Sequence, residues 1–438
     1  MSKTQPARGM RDFLPADVRK RRFVVDIVKE VYESYGFEPL ETPAVENLQT
    51  LMGKYGEEGN QLIFKILKRG EKLDLSDSEL ADLALRYDLT VPLARVVANH
   101  RNDLPKFFKR YQIQPVWRAD RPAKGRFREF YQCDVDAIGS TSMLVESELC
   151  GAVAEILTKL GFDDFTIRLN HRELLREMLG AAGIVEDLQT DALVAIDKLD
   201  KIGVDGVKNE LSERGISSVS ADVILGFIAD VASKDANADI LAAAESFVGG
   251  ESAAIAQMRE ILALTGGTKI KIDPSLARGL SYYTGAIFEI AVPDLAGSLG
   301  GGGRYDGLIG MFGKDQIPAC GFSLGLERII VVMDERGMFP TDLGNASADV
   351  MVTVWSDESA SESVALAKTL RESGLRVLVY PEADKLGKQF KYASQINISK
   401  VCILGESELA DGTVTIKDME SGEQVTVERD QAVDSLRK

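Results

Sequence analysis

One stretch, RGLSYYTGAIFEI from Arg278 to Ile290, limits the possible folds more than any other. Read as an extended segment, it alternates between two faces, with Tyr282, Thr284, Ala286 and Phe288 on one and Tyr283, Gly285, Ile287 and Glu289 on the other. Both faces are largely apolar, which predicts a central strand covered on both sides, and its polar groups then need partners or a ligand. Such a sheet must recruit strands and helices from elsewhere. A chain of 438 residues, 45% hydrophobic and 27% charged, supplies them, with material for about three domains of ordinary size.

The recruits are visible as patterns. Ala16 to Tyr35 carries Phe23, Ile27, Val28, Val31 and Tyr35 at helical spacing with Gly36 as a C-terminal stop, and the strand-like FEPLETP follows. Lys106 to Trp117 and Arg128 to Ile138 read as two strands of an antiparallel hairpin around the basic loop RADRPAKGR. Thr141 to Leu160 reads as a helix and FTIRLNH as a returning strand. From Glu173 to Thr265 the texture becomes Ala, Leu, Ile and Asp in helical patterns, an inserted module. Strands resume at TKIKID and CGFSLG, and the helix GLERIIVVMDERG follows. After Ser347, VMVTVW, RVLVYP and KVCIL alternate with helices, which predicts a separate small α/β unit with a mostly parallel sheet. The expected divisions are 1–172 and 266–338 for a split core, 173–265 for the insertion and 347–438 for the last unit.

Several function classes are disfavoured. The N-terminus has no apolar signal core and no segment approaches a membrane span, so a cytoplasmic location is expected. Cys133, Cys150, Cys320 and Cys402 are scattered without a C-x-x-C pair, and His100 and His171 alone cannot build a multi-histidine metal site. No G-x-S-x-G elbow supports a serine triad. The net charge of −16 opposes polyanion binding in general. Yet Arg101 to Tyr131 holds nine basic residues against three acidic ones, interleaved with Phe107, Phe108, Tyr111, Trp117, Phe127, Phe130 and Tyr131. A solvated charged face is the ordinary reading of such a run; the aromatics make a nucleotide or polyanion contact worth weighing.

Four constellations carry candidate chemistry. In LRYDLT, Asp88 and Thr90 fall on one side of an extended chain and suit an ammonium group, although such pairs are commonly turn or cap chemistry. In VWRADRPAKGRFREFYQCDVD, Arg118 and Arg126 or Arg128 can grip a polyphosphate from the two strands, and Phe130 can stack on a base. Gln132, Asp134 and Asp136 share one face and are costly to bury unless they bind something. The glycines of LGGGGRYDGL allow close backbone approach but have no dinucleotide or P-loop spacing. Arg328 in CGFSLGLERII follows a strand-to-helix turn.

In this order the pieces resemble a class II aminoacyl-tRNA synthetase, specifically the histidyl-tRNA synthetase family, over nearly the whole chain. GFEPLETPAVE is similar to the family's first motif, FKRYQIQPVWRADRPAKGRFREFYQ to the second and GFSLGLERI to the third, while RGLSYYTGAIFE and GGGRYDGL resemble stretches particular to the histidine enzymes. The resemblance implies an α+β fold: an antiparallel-sheet catalytic core with a helical insertion and a C-terminal α/β anticodon-binding domain. It implies activation of L-histidine with ATP and Mg2+, transfer to tRNA(His), and a homodimer. By motif matching, Arg278 and Arg118 would act on the α-phosphate, and Arg118, Arg126, Phe130, Arg278 and Arg328 would bind ATP. Asp88, Thr90 and Gln132 would hold the ammonium, Asp136 and Tyr283 the imidazole, with Tyr282 also in the histidine pocket, and Arg121 would meet the tRNA acceptor end. Asp88, Asp120 and Asp136 stand where many relatives have glutamate, and Ser281 where an acidic residue or asparagine is frequent. The alternatives are a non-catalytic, synthetase-like regulatory subunit of ATP phosphoribosyltransferase and a nucleic-acid-binding module without catalysis. The regulatory relatives generally lack the last domain and the intact arginine segment, and this chain has both.

Overall fold

The computed structural model describes residues 4–70, 79–266, 269–277, 282–295, 297–341, 343 and 348–437. The chain forms two compact units, Met1–Met338 and Phe339–Lys438. No helix among the described residues is long and apolar enough to cross a membrane.

The first unit opens with α1 (Pro15–Ser34), where Pro15 stands in the first turn and needs no amide partner, and Val24, Val28, Val31 and Tyr32 form the buried face. Each such side chain contributes about 1.5–3 kcal/mol on burial. Gly36, at φ +76, takes the left-handed position that ends the helix. Short elements follow: β1 (Glu38–Pro39), β2 (Val45–Asn47), α2 (Leu48–Leu51), α3 (Gly56–Gln61), β3 (Lys65–Leu67), β4 (Ala81–Leu85) and α4 (Thr90–Asn99). The hairpin is β5 (Phe108–Trp117) and β6 (Glu129–Ile138), antiparallel in register from Phe108↔Ile138 to Trp117↔Glu129. Next come α5 (Leu144–Lys159) and β7 (Thr166–His171). Helices α6 (Arg172–Ala181), α7 (Glu186–Ile196), α8 (Leu199–Glu213), α9 (Ser218–Ala232), α10 (Asn237–Val248) and α11 (Ala253–Leu264) occupy the stretch before β8 (Ile270–Ile272). β9 (Ala286–Ala291), β10 (Gly300–Arg304), β11 (Ala319–Gly325) and α12 (Leu326–Glu335) complete the unit.

Eight described strands join in the order β1-β5-β6-β11-β10-β9-β7-β8. Only the end pairs β1·β5 and β7·β8 are parallel. Segments on both sides of the helical stretch thus share one antiparallel sheet. β9 is indeed central and buried on both faces, but it starts at Ala286, so the expected alternation does not reach Tyr282 or Tyr283, while Arg278 to Ser281 lie outside the described residues. FEPLETP supplies only the two-residue β1. The glycine run is a strand: Cβ atoms at Gly300 and Gly302 would collide with the carbonyls of Ser323 and Gly321 on β11. Within this sheet Arg304 forms a two-point ion pair with Glu146 of α5, Nε to Oε1 at 2.6 Å and Nη2 to Oε2 at 2.9 Å, both side chains buried.

The second unit contains β12 (Val350–Val352), α13 (Ala360–Glu372), β13 (Val377–Val379), α14 (Leu386–Gln395), β14 (Lys400–Ile403), α15 (Glu406–Asp411), β15 (Thr413–Asp418), β16 (Gln424–Glu428) and α16 (Ala432–Arg437). Its order is β13-β12-β14-β15-β16. The first three strands are parallel, and the last two are antiparallel additions, so the sheet is more mixed than the strand-helix alternation predicts.

Candidate active site

A cavity of about 260 Å³ is floored by Gln132 of β6, Ser323 of β11 and the backbone of Gly300 and Gly301 of β10. Its walls come from four other places in the sequence: Asp88 and Thr90; Arg118, Asp120, Arg126, Phe127 and Phe130 of the hairpin; Tyr282 and Tyr283; and Glu327 and Arg328 in the first turn of α12. Asp136 is buried beneath the floor and does not line the cavity, Arg121 is exposed on the hairpin loop, and Arg278 lies outside the described residues.

At one end, LRYDLT is not extended as the sequence suggests. Leu89 has helical φ/ψ of −101 and −9, Thr90 begins α4, and the Val91 N–H donates to Asp88 Oδ1 at 3.1 Å. A short carboxylate three residues ahead of a helical amide captures it more readily than it lines a strand. Asp88 also accepts from the Tyr55 hydroxyl at 2.9 Å and the Tyr282 hydroxyl at 3.2 Å. Burial pushes its pKa up; the Val91 amide, Arg118 and the two hydroxyls oppose that. Gln132 donates from Nε2 to Ser323 Oγ at 2.9 Å, while its Oε1 is buried and unpartnered. A buried acceptor without a donor is costly, which makes it a receptor for a ligand's N–H.

Beneath the floor, Asp136 Oδ1 accepts from the Tyr305 hydroxyl and Oδ2 lies 2.7 Å from Arg110 Nη2, an ion pair whose N–H is poorly aligned. Burial raises Asp136, with Arg110 opposing. Burial likewise pushes Asp134 up to about 7, against Arg110 and with help from the negative charge of Asp136. Tyr282 and Tyr283 are raised by burial and stay neutral hydroxyls.

The other end is cationic. Arg118 is braced by its Nε donating to Tyr87 O at 3.0 Å, with its guanidinium carbon 4.3 Å from the Tyr87 ring centre and 5.2 Å from that of Phe130. Arg328 donates from Nη1 to Ser298 O at 2.6 Å. Arg126 lies 3.8 Å from Asp120. Glu327 faces the same space, with Oε2 accepting the Tyr131 N–H at 3.0 Å and Oε1 the Arg21 guanidinium at 2.8 Å. Fixed guanidiniums and buried acceptors lining one cavity suit a polyphosphate beside an amine.

Sequence reasoning missed Arg110, Ser323, Glu327 and Tyr55. The first two follow only from register, Arg110↔Asp136 and Ser323↔Asp134. Glu327 stood beside Arg328 in GLER, and nothing local marks Tyr55.

The sequence matches the family described as histidyl-tRNA synthetase over residues 9–329 and the anticodon binding domain over residues 349–438. The chain belongs to the histidyl-tRNA synthetase family. It is an aminoacyl-tRNA synthetase, with the class II antiparallel core and the C-terminal anticodon-binding domain that the motifs predicted. The histidine–tRNA ligase of Porphyromonas gingivalis is 44% identical over 452 residues, 99% of this chain and 98% of that one. That of Christiangramia forsetii is 42% identical over 441 residues, 95% of each. The crystal structure of histidyl-tRNA synthetase from Nostoc sp. PCC 7120 superimposes with a TM-score of 0.81 at 32% identity, covering 100% of this synthetase and 99% of that chain. Full-length likeness to ligases does not favour the regulatory-subunit alternative.

Proposed function

We propose that the cavity activates L-histidine and that the synthetase is a histidine–tRNA ligase working in two steps. A histidine carboxylate oxygen attacks the α-phosphorus of ATP, the bond from that phosphorus to the bridging oxygen breaks, and pyrophosphate leaves. The 2′- or 3′-hydroxyl of the terminal adenosine of tRNA(His) then attacks the activated carbonyl, and AMP leaves.

The observation that carries this reading is the pairing, in one cavity, of braced arginines with an unpartnered acceptor at Gln132. Two anions meet in the first step, so cations held at the phosphoryl oxygens both orient them and stabilise developing charge. Arg118, Arg126 and Arg328 are assigned to the ATP phosphates, Phe130 to adenine, and Arg278, by the family pattern, to the α-phosphate opposite Arg118. Asp88, Thr90 and Gln132 are assigned to the ammonium. Tyr282 and Tyr283 close the histidine pocket, and Asp136, engaged by Arg110 and Tyr305, shapes its polar base. A site built for an imidazole leaves polar groups unpaired when an apolar isostere enters, a discrimination often ~10⁴-fold. Arg121 is assigned to the tRNA acceptor end.

Among the described residues no group of three His, Cys, Asp or Glu side chains is placed to hold a metal ion. Of the three carboxylates that line the cavity, Asp88 is held by the Tyr55 and Tyr282 hydroxyls, and Asp120 and Glu327 fit Mg2+ delivered on the ATP phosphates, where the ion would neutralise charge on the leaving pyrophosphate. A cytoplasmic homodimer, and an insertion at 173–265 that clamps the acceptor stem, complete the reading. The test is pyrophosphate exchange with Arg118→Ala: a fall in kcat/KM of ~10²-fold or more supports the assignment, and an unchanged rate contradicts it.

A further inference from the structure

Two unpartnered acceptors lie on one face of β6, Gln132 Oε1 at the cavity and Asp134 Oδ1 beneath it. Asp134 is not a cavity-lining residue, and no step above uses it. A glutamine amide can offer either an oxygen or its N–H groups, and its neighbours decide which. The neighbour of Gln132 is Ser323, whose hydroxyl has a single hydrogen. Ser323 stands in register opposite Asp134 on the adjacent β11, so its hydroxyl and that carboxylate share one side of the sheet, and hydrogen bonding from Ser323 is among the influences that hold the Asp134 pKa down. Above about pH 7 the Asp134 carboxylate is ionised and only accepts, so there the Ser323 hydrogen is committed to Asp134 and only Oγ lone pairs remain for Gln132. The amide therefore meets Ser323 with its N–H, at 2.9 Å, and keeps its oxygen unspent.

We propose that Asp134 and Ser323 form a positioning relay that fixes the rotamer of the Gln132 amide, holding Oε1 as the acceptor for the α-ammonium of the amino-acid substrate. The relay rests on the reading of this cavity as the histidine site. It gives a buried carboxylate a task one layer behind the substrate. Without it the amide is free to flip and present N–H groups to a cation, which repels the ligand instead of binding it.

The test uses the full-length protein and histidine-dependent ATP–pyrophosphate exchange. Ser323→Ala is expected to raise the histidine KM by ~10-fold or more, with the ATP KM within about twofold of the parent. Ser323→Thr keeps a hydroxyl and is expected to stay near the parent. Asp134→Asn puts an amide where the carboxylate was; that amide can donate to Ser323 and free the hydroxyl to turn on Gln132, so the histidine KM rises here too. The double variant is expected to be no worse than the worse single one, because both remove the same relay. Histidinol, which carries an ammonium, should displace less well from Ser323→Ala than from the parent, whereas imidazolepropionate, which has none, should be unchanged. A general structural defect would move both ligands and both KM values together.

A histidine KM within twofold of the parent in Ser323→Ala, equal weakening of both ligands, or additive losses in the double variant would each overturn the relay. If Asp134→Asn does not fold, the Ser323 pair and the two ligands decide alone. Absence of histidine-dependent exchange in the parent protein would sink the reading of the site itself, and the relay with it, whereas a normal parent with an unaffected Ser323→Ala removes only the relay.

Discussion

Asp134 is a buried carboxylate with one oxygen unpaired, and burial raises it to about 7. An unfolded aspartate titrates near ~3.9. Between these values the folded protein holds a proton that the unfolded chain gives up, so stability falls as pH rises from about 4 towards about 7 and levels off above. Asp134→Asn removes this titration while Arg110, Asp136 and Asp88 remain around it. The melting temperature of the variant relative to the parent should therefore improve from pH 5 to pH 8; a difference that is flat with pH would contradict the assignment. At the same scale, Arg278→Ala should slow adenylate formation by ~10²-fold with little change in histidine affinity, read by pyrophosphate exchange and equilibrium binding. Residues that share a face of their own strand, such as Gln132, Asp134 and Asp136, were legible by alternation. Those that matter through a neighbouring strand were not: Arg110 looked like one more member of a basic run, because pairing with Asp136 depends on hairpin register.

Elements show the same division. Long segments, α1 with its helical spacing and the β5–β6 hairpin with its aromatic and β-branched residues on either side of a basic turn, were readable to within about two residues at each end. β10 was not, since glycines have no side chains to alternate. Its identity as a strand comes from the neighbouring backbones that press on it, so Gly302→Ala should lower stability by about 1–3 kcal/mol or more through overpacking, measured by urea unfolding. The other end of that strand is fixed by Arg304 and Glu146. Removing only the acid, in Glu146→Ala, leaves a buried guanidinium without its counterion and should cost about 3–5 kcal/mol; a loss under about 1 kcal/mol would mean that Asp306 and the Ser140 carbonyl suffice. LRYDLT shows how a polar pair misleads: Asp88 and Thr90 line one cavity through a helix start, not through strand alternation.

For the whole molecule, the change of texture was read near Ser347, the chain divides into units at Met338 and Phe339, and the match of residues 349–438 to an anticodon binding domain gives the second unit its family role. β15 and β16 escaped notice because they add to the sheet edge after the strand-helix alternation has stopped. A chain ended after Met338 should keep histidine-dependent exchange within about tenfold yet lose most tRNA charging; equal loss of both would contradict the division of labour. The central claim is that one cavity brings an imidazole amino acid to the α-phosphate of ATP. Pyrophosphate exchange on the full-length protein with each of the twenty amino acids tests it most directly: histidine alone should support turnover, ~10⁴-fold above any other, and exchange driven by a different amino acid, or by none, would contradict it.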